Sequence, residues 1–342
     1  MLGWDAWKVS DSEFPREGSS SDKLRYLLNY AMLAPSSHNS QPWRFKVIDD
    51  GVELYADRAR ALPVVDPEDR ELIISCGSAL FHLRMAVSHF GHSCIVSWFS
   101  PENNNDLLAR VRLGEERKAR SEEEMLFDAI VKRRTNRMPF EPRQIQEKLL
   151  TELEAMATEE EAWLSIIHLE DKRHKVADLI AEADRIQMAD RRFRRELAAW
   201  IHSNRSSTRD GLPGYAFGYG DLASSVATLL VRTFDIGRGQ AAKDRELAAG
   251  SPVLAVLGTD RDDSSAWLSV GQALSRVLLR ACADGVSASF LNQPIEVPEL
   301  RIKLSEIMDR RGYPQLLLRM GYGPRIRPTP RRMVAEVLVG TQ

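Results

Sequence analysis

Two stretches of this chain repeat the same order of small and apolar residues. They are separated by one constant offset, because 271 minus 77 and 285 minus 91 are both 194. The matching pairs are Gly77 and Gly271, Ala79 and Ala273, Leu80 and Leu274, and Gly91 and Gly285. Each stretch predicts a long helix that a glycine ends, and strand candidates follow both helices in the same order. Two copies of one supersecondary unit explain the pattern, although two helices that share small residues by chance would also produce it.

A run of small residues at 75–79 interrupts the first of these helices. Small residues lower helix propensity, so we expect this run to allow the close approach of another helix or backbone. His82, His89 and His92 lie along the same helix and at its end. Because they have no acidic or cysteine companion, the sequence predicts no metal site.

Composition is that of an ordinary globular chain. The 342 residues are 43% hydrophobic with a formal net charge of -2, which suits two folding units. The charge argues against nucleic-acid partners and anionic membranes, and no run approaches the ~18 consecutive apolar residues of a membrane span. Cys76, Cys94 and Cys282 lack metal-ligand spacing and predict reduced thiols in a cytoplasmic protein.

The chain divides into a lead-in and two units of unequal length. We predict a flexible lead-in at residues 1–20, a first repeat at 21–120 and a second repeat at 121–342. The second repeat is longer because an arginine-rich, mostly helical insert occupies about residues 171–250. Within the insert, the segment GLPGYAFGYG at 211–220 is either a surface loop or a mobile aromatic lid, since its glycines permit motion.

Residues 34–45 read APSSHNSQPWRF and join the end of a helix to the start of a strand. Pro35 ends the amphipathic pattern before it, and Trp43 and Phe45 alternate with charged residues after it. The result is a loop of small hydrogen-bonding side chains, which suits a bound ring system rich in carbonyl and imide groups. His38 within this loop either contacts such a ligand or lies on the surface.

Residues 133–137 read RRTNR and follow a predicted helix. Arginine presents paired donors that suit phosphate oxygens, and the Thr135 hydroxyl adds another donor. A solvated run of charge is the plainer interpretation of such a cluster when it stands alone. The proline-punctuated tail at 321–332 contains further arginines with the same ambiguity.

Taken together, these motifs resemble the FMN-binding nitroreductase family. The resemblance rests on APSxxNxQPW at 34–43 and RRTNR at 133–137, with LRMGYGP at 318–324 near the end. WLSVGQALSRVLLRA at 267–281 extends it to the twin-domain Acg-type branch. The resemblance implies an α+β class, in which a nitroreductase-like fold is duplicated within one chain and forms an intramolecular pseudo-dimer.

The same resemblance implies a flavin site that is shared by the two repeats. FMN would be the cofactor, with NAD(P)H as electron donor, and no side chain would be a catalytic nucleophile because the flavin carries the chemistry. The implied cofactor-binding residues are Pro35, Ser36, Ser37, Asn39, Gln41, Arg133, Arg134, Thr135, Arg137, Ser289, Leu291 and Asn292, with Arg327 or Arg331 from the tail. Residues 289–293 align with the family region that approaches the flavin N5 edge.

Each repeat lacks one half of the paired site. The first repeat has no arginine motif before its helix, and the second has HSNRSSTRDG at 202–211 in place of the polar loop. We therefore expect one FMN per chain.

The implied activity is NAD(P)H-dependent reduction of nitroaromatic or quinone-type acceptors by ping-pong hydride transfer through flavin N5. The alternative is a flavin-sequestering protein whose insert occludes the site. The expected partner is a small-molecule electron acceptor, and the chain is a monomer that acts as a pseudo-dimer or a homodimer of such chains.

Overall fold

The computed structural model of the chain describes residues 5–98 and 106–340. Residues 1–4, 99–105 and 341–342, which include parts of the predicted lead-in and of both predicted repeats, lie outside the described part. The helices are α1 Ser20–Ala31, α2 Arg70–His89, α3 Ser121–Ile130, α4 Glu147–Thr158, α5 Glu170–Ala189, α6 Arg191–Trp200, α7 Asp221–Thr233, α8 Gly237–Ala249, α9 Ser264–Ala283, α10 Gln293–Glu296 and α11 Pro298–Met308. The strands are β1 Trp43–Ile48, β2 Gly51–Ala56, β3 His92–Trp98, β4 Leu107–Glu116, β5 Trp163–Ile166, β6 Ile201–His202, β7 Leu212–Pro213, β8 Val253–Thr259, β9 Ser287–Phe290 and β10 Tyr313–Gly321.

Two four-stranded sheets have the same topology. The first has the strand order β1-β2-β4-β3 and the second has the order β5-β8-β10-β9. All neighbouring strands in both sheets are antiparallel. In each sheet one long helix, α2 or α9, lies between the second and third strands along the chain. The α+β class and the duplicated fold that the sequence predicts are confirmed.

The long helices α2 and α9 cross at their glycines. A β-carbon added at Gly77 would overlap the carbonyl oxygen of Leu268, and one added at Gly271 would overlap that of Ile74. These two contacts obey the offset of the repeat, since 268 minus 74 is also 194. The Ser78 hydroxyl donates to the carbonyl of Gly271 at 2.9 Å across the crossing. The predicted close approach of a second helix is therefore confirmed, and it joins the two units.

Helix α1 forms where the apolar spacing predicts it. The Ser19 hydroxyl accepts the backbone N–H of Asp22, and the Asp22 carboxylate accepts the N–H of Ser19, so this capping box satisfies donors at the helix start. Leu24, Leu27 and Leu28 are fully buried. The loop at 34–45 therefore starts from a fixed helix end.

The insert interrupts a hairpin of the second unit. In the first sheet β1 and β2 are joined by a two-residue turn at 49–50, whereas the corresponding strands β5 and β8 are separated by α5, α6, β6, β7, α7 and α8. These elements run from Glu170 to Ala249, the segment for which the sequence predicts an insert. The boundaries between the lead-in and the two repeats stay predictions.

The two ends of the chain pack together, in contrast to the flexible lead-in that the composition predicts. Phe14 is 7% exposed, and its ring stacks on Phe90 with centroids 4.2 Å apart. Trp7 donates its indole N–H to the carbonyl of Thr329 in the C-terminal arm at 2.9 Å. The arm continues to β1, where the Phe45 N–H donates to the carbonyl of Val337. Burial of these rings stabilises a segment whose polar residues alone would leave it in solvent.

One helix, α2, is long and apolar enough to cross a membrane by the criteria of length and composition. Most of its residues are buried inside the protein, where it packs against α9 and α1. We therefore interpret α2 as a core helix.

We predict that Gly77→Ala lowers the free energy of unfolding by about 1–3 kcal/mol, because the new methyl group overpacks the crossing with α9. Gly239→Ala in α8 is the matched control, since nothing lies within 4 Å of its added β-carbon. That control should be neutral or up to ~1 kcal/mol more stable. Urea unfolding followed by circular dichroism measures both values, and equal effects would contradict the helix crossing.

Candidate functional site

The loop after α1 turns sharply, so that part of it faces inward. His38, Asn39 and Gln41 have φ values of 51°, 55° and 52°, a left-handed conformation that residues other than glycine adopt rarely. The Ser36 hydroxyl accepts the backbone N–H of Gln41 at 3.0 Å and closes the loop. As a result, residues 35–38, including His38, line a cavity.

Asn39 and Gln41 attach the loop to the C-terminal arm. The Asn39 amide donates to the carbonyl of Pro330 at 3.0 Å, and its oxygen accepts from Arg331 at 2.7 Å. The Gln41 side-chain oxygen accepts the backbone N–H of Arg332 at 2.7 Å. Both amides are buried. These two predicted site residues therefore position the loop and do not line the cavity.

The RRTNR segment lies along the free edge of the second sheet. Thr135 forms a parallel bridge with Ala288 of β9, and the N–H of Asn136 donates to the carbonyl of Ala288 at 2.9 Å. Thr135 and Ser289 consequently line the same cavity as the loop at 35–38. The two sequence motifs meet in one place, although about a hundred residues separate them.

Four arginines gather behind this edge without acidic partners. Arg133 and Arg331 are each 3% exposed, and the guanidinium of Arg134 lies 3.7 Å from the Trp7 ring. In the described part of the chain, none of Arg133, Arg134, Arg137 and Arg331 forms an ion pair with a carboxylate, and no carboxylate contributes to their pKa shifts. We call Arg133, Arg134, Arg137 and Arg331 the arginine cluster.

The arginine cluster is electrostatically unsatisfied. Burial lowers the pKa of Arg133, Arg134 and Arg137 to about 10, and it lowers the pKa of Arg331 well below its ordinary value, with neighbouring guanidiniums adding to the effect. The Nε atoms of Arg133 and Arg331 and the Nη1 atom of Arg137 are buried without a hydrogen-bond partner. Buried charges are normally paired, so the cluster suits a ligand that carries a multiply charged anionic group.

The sequence leaves open which tail arginine belongs to the site. Arg331 lies in the cluster, where it binds Asn39 and Thr329. Arg327 is exposed, and its guanidinium lies 6.0 Å from the Tyr215 ring. The structure therefore brings Arg331 to the cluster and leaves Arg327 outside it.

A cavity of about 280 Å³ connects these parts. Its volume is close to the lower end of the ~300–1,000 Å³ range of small-molecule sites. The predicted site residues that line it are Pro35, Ser36, Ser37, Thr135, Arg137, Ser289, Leu291 and Asn292. The predicted residues that lie behind or outside it are Asn39, Gln41, Arg133, Arg134, Arg327 and Arg331.

The insert supplies the apolar wall of the cavity. Phe193 and Leu197 of α6 line it, together with Leu212, Phe217 and Tyr219 of the segment at 211–220. Phe193 is 8% exposed, so this ring points inward from an otherwise arginine-rich helix. The segment at 211–220 is thus part of the cavity wall, and its movement as a lid stays a prediction.

Acidic residues that sequence reasoning missed also line the cavity. The Ser37 hydroxyl donates to Glu71 at 2.5 Å, and Gln187 donates to Glu296 at 2.7 Å. Burial raises the pKa of Glu296 well above its ordinary value, and Glu71 adds to this effect. Burial also lowers the pKa of His38 to about 4, so its ring is neutral at pH 7.

Asp184 and Asp244 are two further acids that line the cavity. Asp184 stands on the buried stripe of α5 at four-residue spacing from Val176 and Ile180, and Asp244 lies one turn from buried Ala248 in α8. A carboxyl group at an apolar-stripe position is the signal that could have identified both residues.

Comparison with known proteins identifies the family of the chain. The sequence pattern of the Nitroreductase family matches residues 8–108 of this chain. The protein named "Putative NAD(P)H nitroreductase Rv3131" from Mycobacterium tuberculosis is 31% identical over 326 residues, which cover 93% of this chain and 91% of that protein. "Putative NAD(P)H nitroreductase acg" from the same organism is 29% identical over 325 residues, which cover 93% of this chain and 96% of that protein.

A solved structure aligns more weakly. The FMN-dependent nitroreductase NfnB from Mycobacterium smegmatis covers 64% of this chain and 99% of its own, at 13% identity and a TM-score of 0.42. The assignment rests instead on the relative that is 31% identical over nearly the whole length of both proteins. The chain belongs to the nitroreductase family.

Proposed function

We propose that the protein is an FMN-dependent oxidoreductase that takes electrons from NAD(P)H and reduces nitroaromatic or quinone-type acceptors. It would act in the cytoplasm as a monomer whose two repeats form a pseudo-dimer. The observation that carries the proposal is the arginine cluster, whose buried guanidiniums lack acidic partners and lie beside a cavity shared by both repeats. The relatives named as NAD(P)H nitroreductases support the choice of electron donor.

The residues present fit the cofactor. The guanidiniums of Arg133, Arg137 and Arg331, which have unpartnered N–H groups, would donate hydrogen bonds to the phosphate oxygens, and the Thr135 hydroxyl adds a donor nearby. The loop at 35–38 and the strand end at 289–292 border the cavity from the two repeats, so they would hold the ring. An anion here would also relieve the cost of leaving these buried guanidiniums unpaired.

When bound, FMN supplies hydride transfer between a nicotinamide and an acceptor. The chain's own residues bind, orient and exclude water. Arg137 and Arg319, which line the cavity, would stabilise negative charge there, and the aromatic wall of the insert would keep water out. Because one cavity serves both the donor and the acceptor, the donor must leave before the acceptor enters, which gives ping-pong kinetics.

The repeat relates the cavity-lining part of α2 to a second place on α9, where side chains are bonded to one another. The offset of 194 pairs cavity-lining Ser78 with Gln272, whose side chain accepts from Arg84 at 2.7 Å. Arg276, one turn further along, is 5% exposed and pairs with Glu160 at 3.0 Å. These contacts support one FMN per chain.

A flavin-sequestering protein with little turnover is the second candidate function. It is favoured by the insert, because Phe193, Phe217 and Tyr219 line the cavity. A wall of this kind would slow the entry of acceptors if it stayed closed.

We predict that the double variant Arg133→Met with Arg137→Met binds FMN at least roughly 100-fold more weakly, because each lost charge-assisted hydrogen bond costs about 1.5–3 kcal/mol. Flavin fluorescence quenching measures the affinity. Riboflavin, which lacks the phosphate, should bind the variant and the wild-type protein equally. Arg192→Met is the matched control, since Arg192 is exposed and pairs with Asp190. Unchanged FMN affinity in the double variant would contradict the phosphate site.

We also predict that the purified protein carries about one FMN and is bleached when NADH or NADPH is added without oxygen. A nitroarene or quinone should then restore the visible absorbance within the turnover time. An unresponsive yellow protein would support sequestration instead, and absence of flavin even after FMN is added would contradict both candidate functions.

A further inference from the structure

Two buried carboxyl groups meet where α5 and α8 pack together. Asp184 is 3% exposed and Asp244 is 7% exposed, and both line the cavity. One amide nitrogen of Gln293 donates to both, at 3.2 Å to Asp184 and 2.9 Å to Asp244. The amide of Gln240 donates to Asp244 at 2.7 Å. We call Asp184 and Asp244 the carboxyl pair.

The carboxyl pair has charged neighbours, but among the described residues none of them forms an ion pair with it. Lys243 lies beside it on α8, Arg185 on α5, Glu296 on α10 and Arg319 on β10. In residues 5–98 and 106–340, none of the three cations forms an ion pair with either carboxylate. Two buried carboxylates in contact cannot both ionise without a large cost, so one proton is expected to stay on the pair.

The direction of the pKa shifts agrees with this arrangement. Burial raises the pKa of Asp184 to about 8, and the Asp244 carboxylate adds to the rise. Burial also raises the pKa of Asp244. An acid whose pKa rises from its ordinary value to about 8 is mostly protonated at pH 7.

One oxygen atom of the pair lacks a hydrogen-bond donor. The Oδ2 atom of Asp184 is buried and has no hydrogen-bond partner, and the Oε1 atom of Gln293 beside it has none either. Both residues line the cavity, and Gln293 directly follows Asn292, which the family resemblance implies to lie near the flavin edge. The Asp184 and Asp244 carboxyl groups interact by a hydrogen bond, so a proton kept on the pair supplies the missing donor, and the cavity brings a substrate next to both residues.

We propose that the carboxyl pair is the proton donor for the acceptor that is reduced in this cavity, an inference that rests on the proposed oxidoreductase function. In quinone reduction, the acceptor would gain two electrons and one hydrogen as a hydride, which bound FMN would supply. The O–H bond of the carboxylic acid breaks as the second O–H bond of the hydroquinone forms. The pair is left with one more negative charge, and a proton from solvent restores it.

The first test measures the proton itself and needs no cofactor. Infrared spectra of the flavin-free protein at pH 7 should contain the carbonyl stretch of a protonated carboxylic acid that is lost in Asp184→Asn and kept in Asp178→Asn. Asp178 is an exposed residue of the same helix that pairs with Arg245, so it is a matched control. If Asp184→Asn leaves the protonated-acid band unchanged, the proposal is overturned.

The pH dependence of the free energy of unfolding is a second measurement of the same proton. Because folding raises the Asp184 pKa, the folded protein holds a proton that the unfolded chain releases, and this group loses its stabilising effect as the pH rises from about 4 to about 8. Asp184→Asn removes the titrating group. The stability of this variant relative to wild type should therefore increase across that pH range, and a difference independent of pH would overturn the proposal.

The kinetic test compares two acceptors that differ in their need for a proton. Protein reduced with dithionite is mixed with benzoquinone or with ferricyanide, which takes up electrons alone. Asp184→Asn and Asp244→Asn should slow reoxidation by benzoquinone roughly 100-fold or more and leave reoxidation by ferricyanide unchanged. Equal slowing with both acceptors, or no slowing with either, would overturn the proposal.

Chemical reduction keeps this inference separate from the proposed electron donor. If NAD(P)H fails to bleach the wild-type protein while dithionite succeeds, the donor assignment fails and the comparison of acceptors still decides the role of the carboxyl pair. Protein that binds no FMN at all would overturn both proposals.

Discussion

The contact between Gly77 and Gly271 is the constraint on which the rest of the structure depends. At this point each long helix places a backbone carbonyl where the other would need room for a side chain. The cavity lies directly beside the crossing, since Ile74 and Ser78 of α2 and Leu274 of α9 line it. Wider separation of the helices would move the loop at 35–38 away from the strand that carries Ser289. The small residues of the repeat thus fix the distance between the two halves of the site.

Segments from three distant parts of the chain close the site around the arginine cluster. Trp7 from the start of the chain stacks on Arg134, and Arg331 from the end binds Asn39 in the first unit. Burying guanidiniums without an ion-pair partner lowers the free energy of unfolding, so hydrophobic burial elsewhere in the protein must offset this loss. The fully buried rings of Trp43 and nearby Phe45 belong to the core that does so. Under the proposed function, the phosphate of the cofactor would stabilise the whole arrangement.

The motifs of the site could be located from the sequence because their chemistry depends on residue type and order. The polar loop at 34–45 and RRTNR at 133–137 are examples, as is the repeat that pairs Gly77 with Gly271. The carboxyl pair was missed although each aspartate stands on the apolar stripe of its helix, since aspartate in a helix is usually a surface residue and its burial depends on packing by distant helices. The aromatic contacts of Trp7 were missed for a related reason, because a stacking pair leaves no periodic pattern.

Two kinds of ionisable group border the cavity, and they suit different parts of a ligand. The arginine cluster attracts a permanently charged group, because its guanidiniums stay protonated at pH 7. Burial raises the pKa of Asp184 to about 8 and that of Glu296 well above its ordinary value, which disfavours the charged form of both carboxyl groups. Under the proposed function, a phosphate held by the arginine cluster would leave these acids available to a substrate that needs protons as well as electrons. Charge would then orient the ligand, and burial of the acids would prepare the place where the reaction occurs.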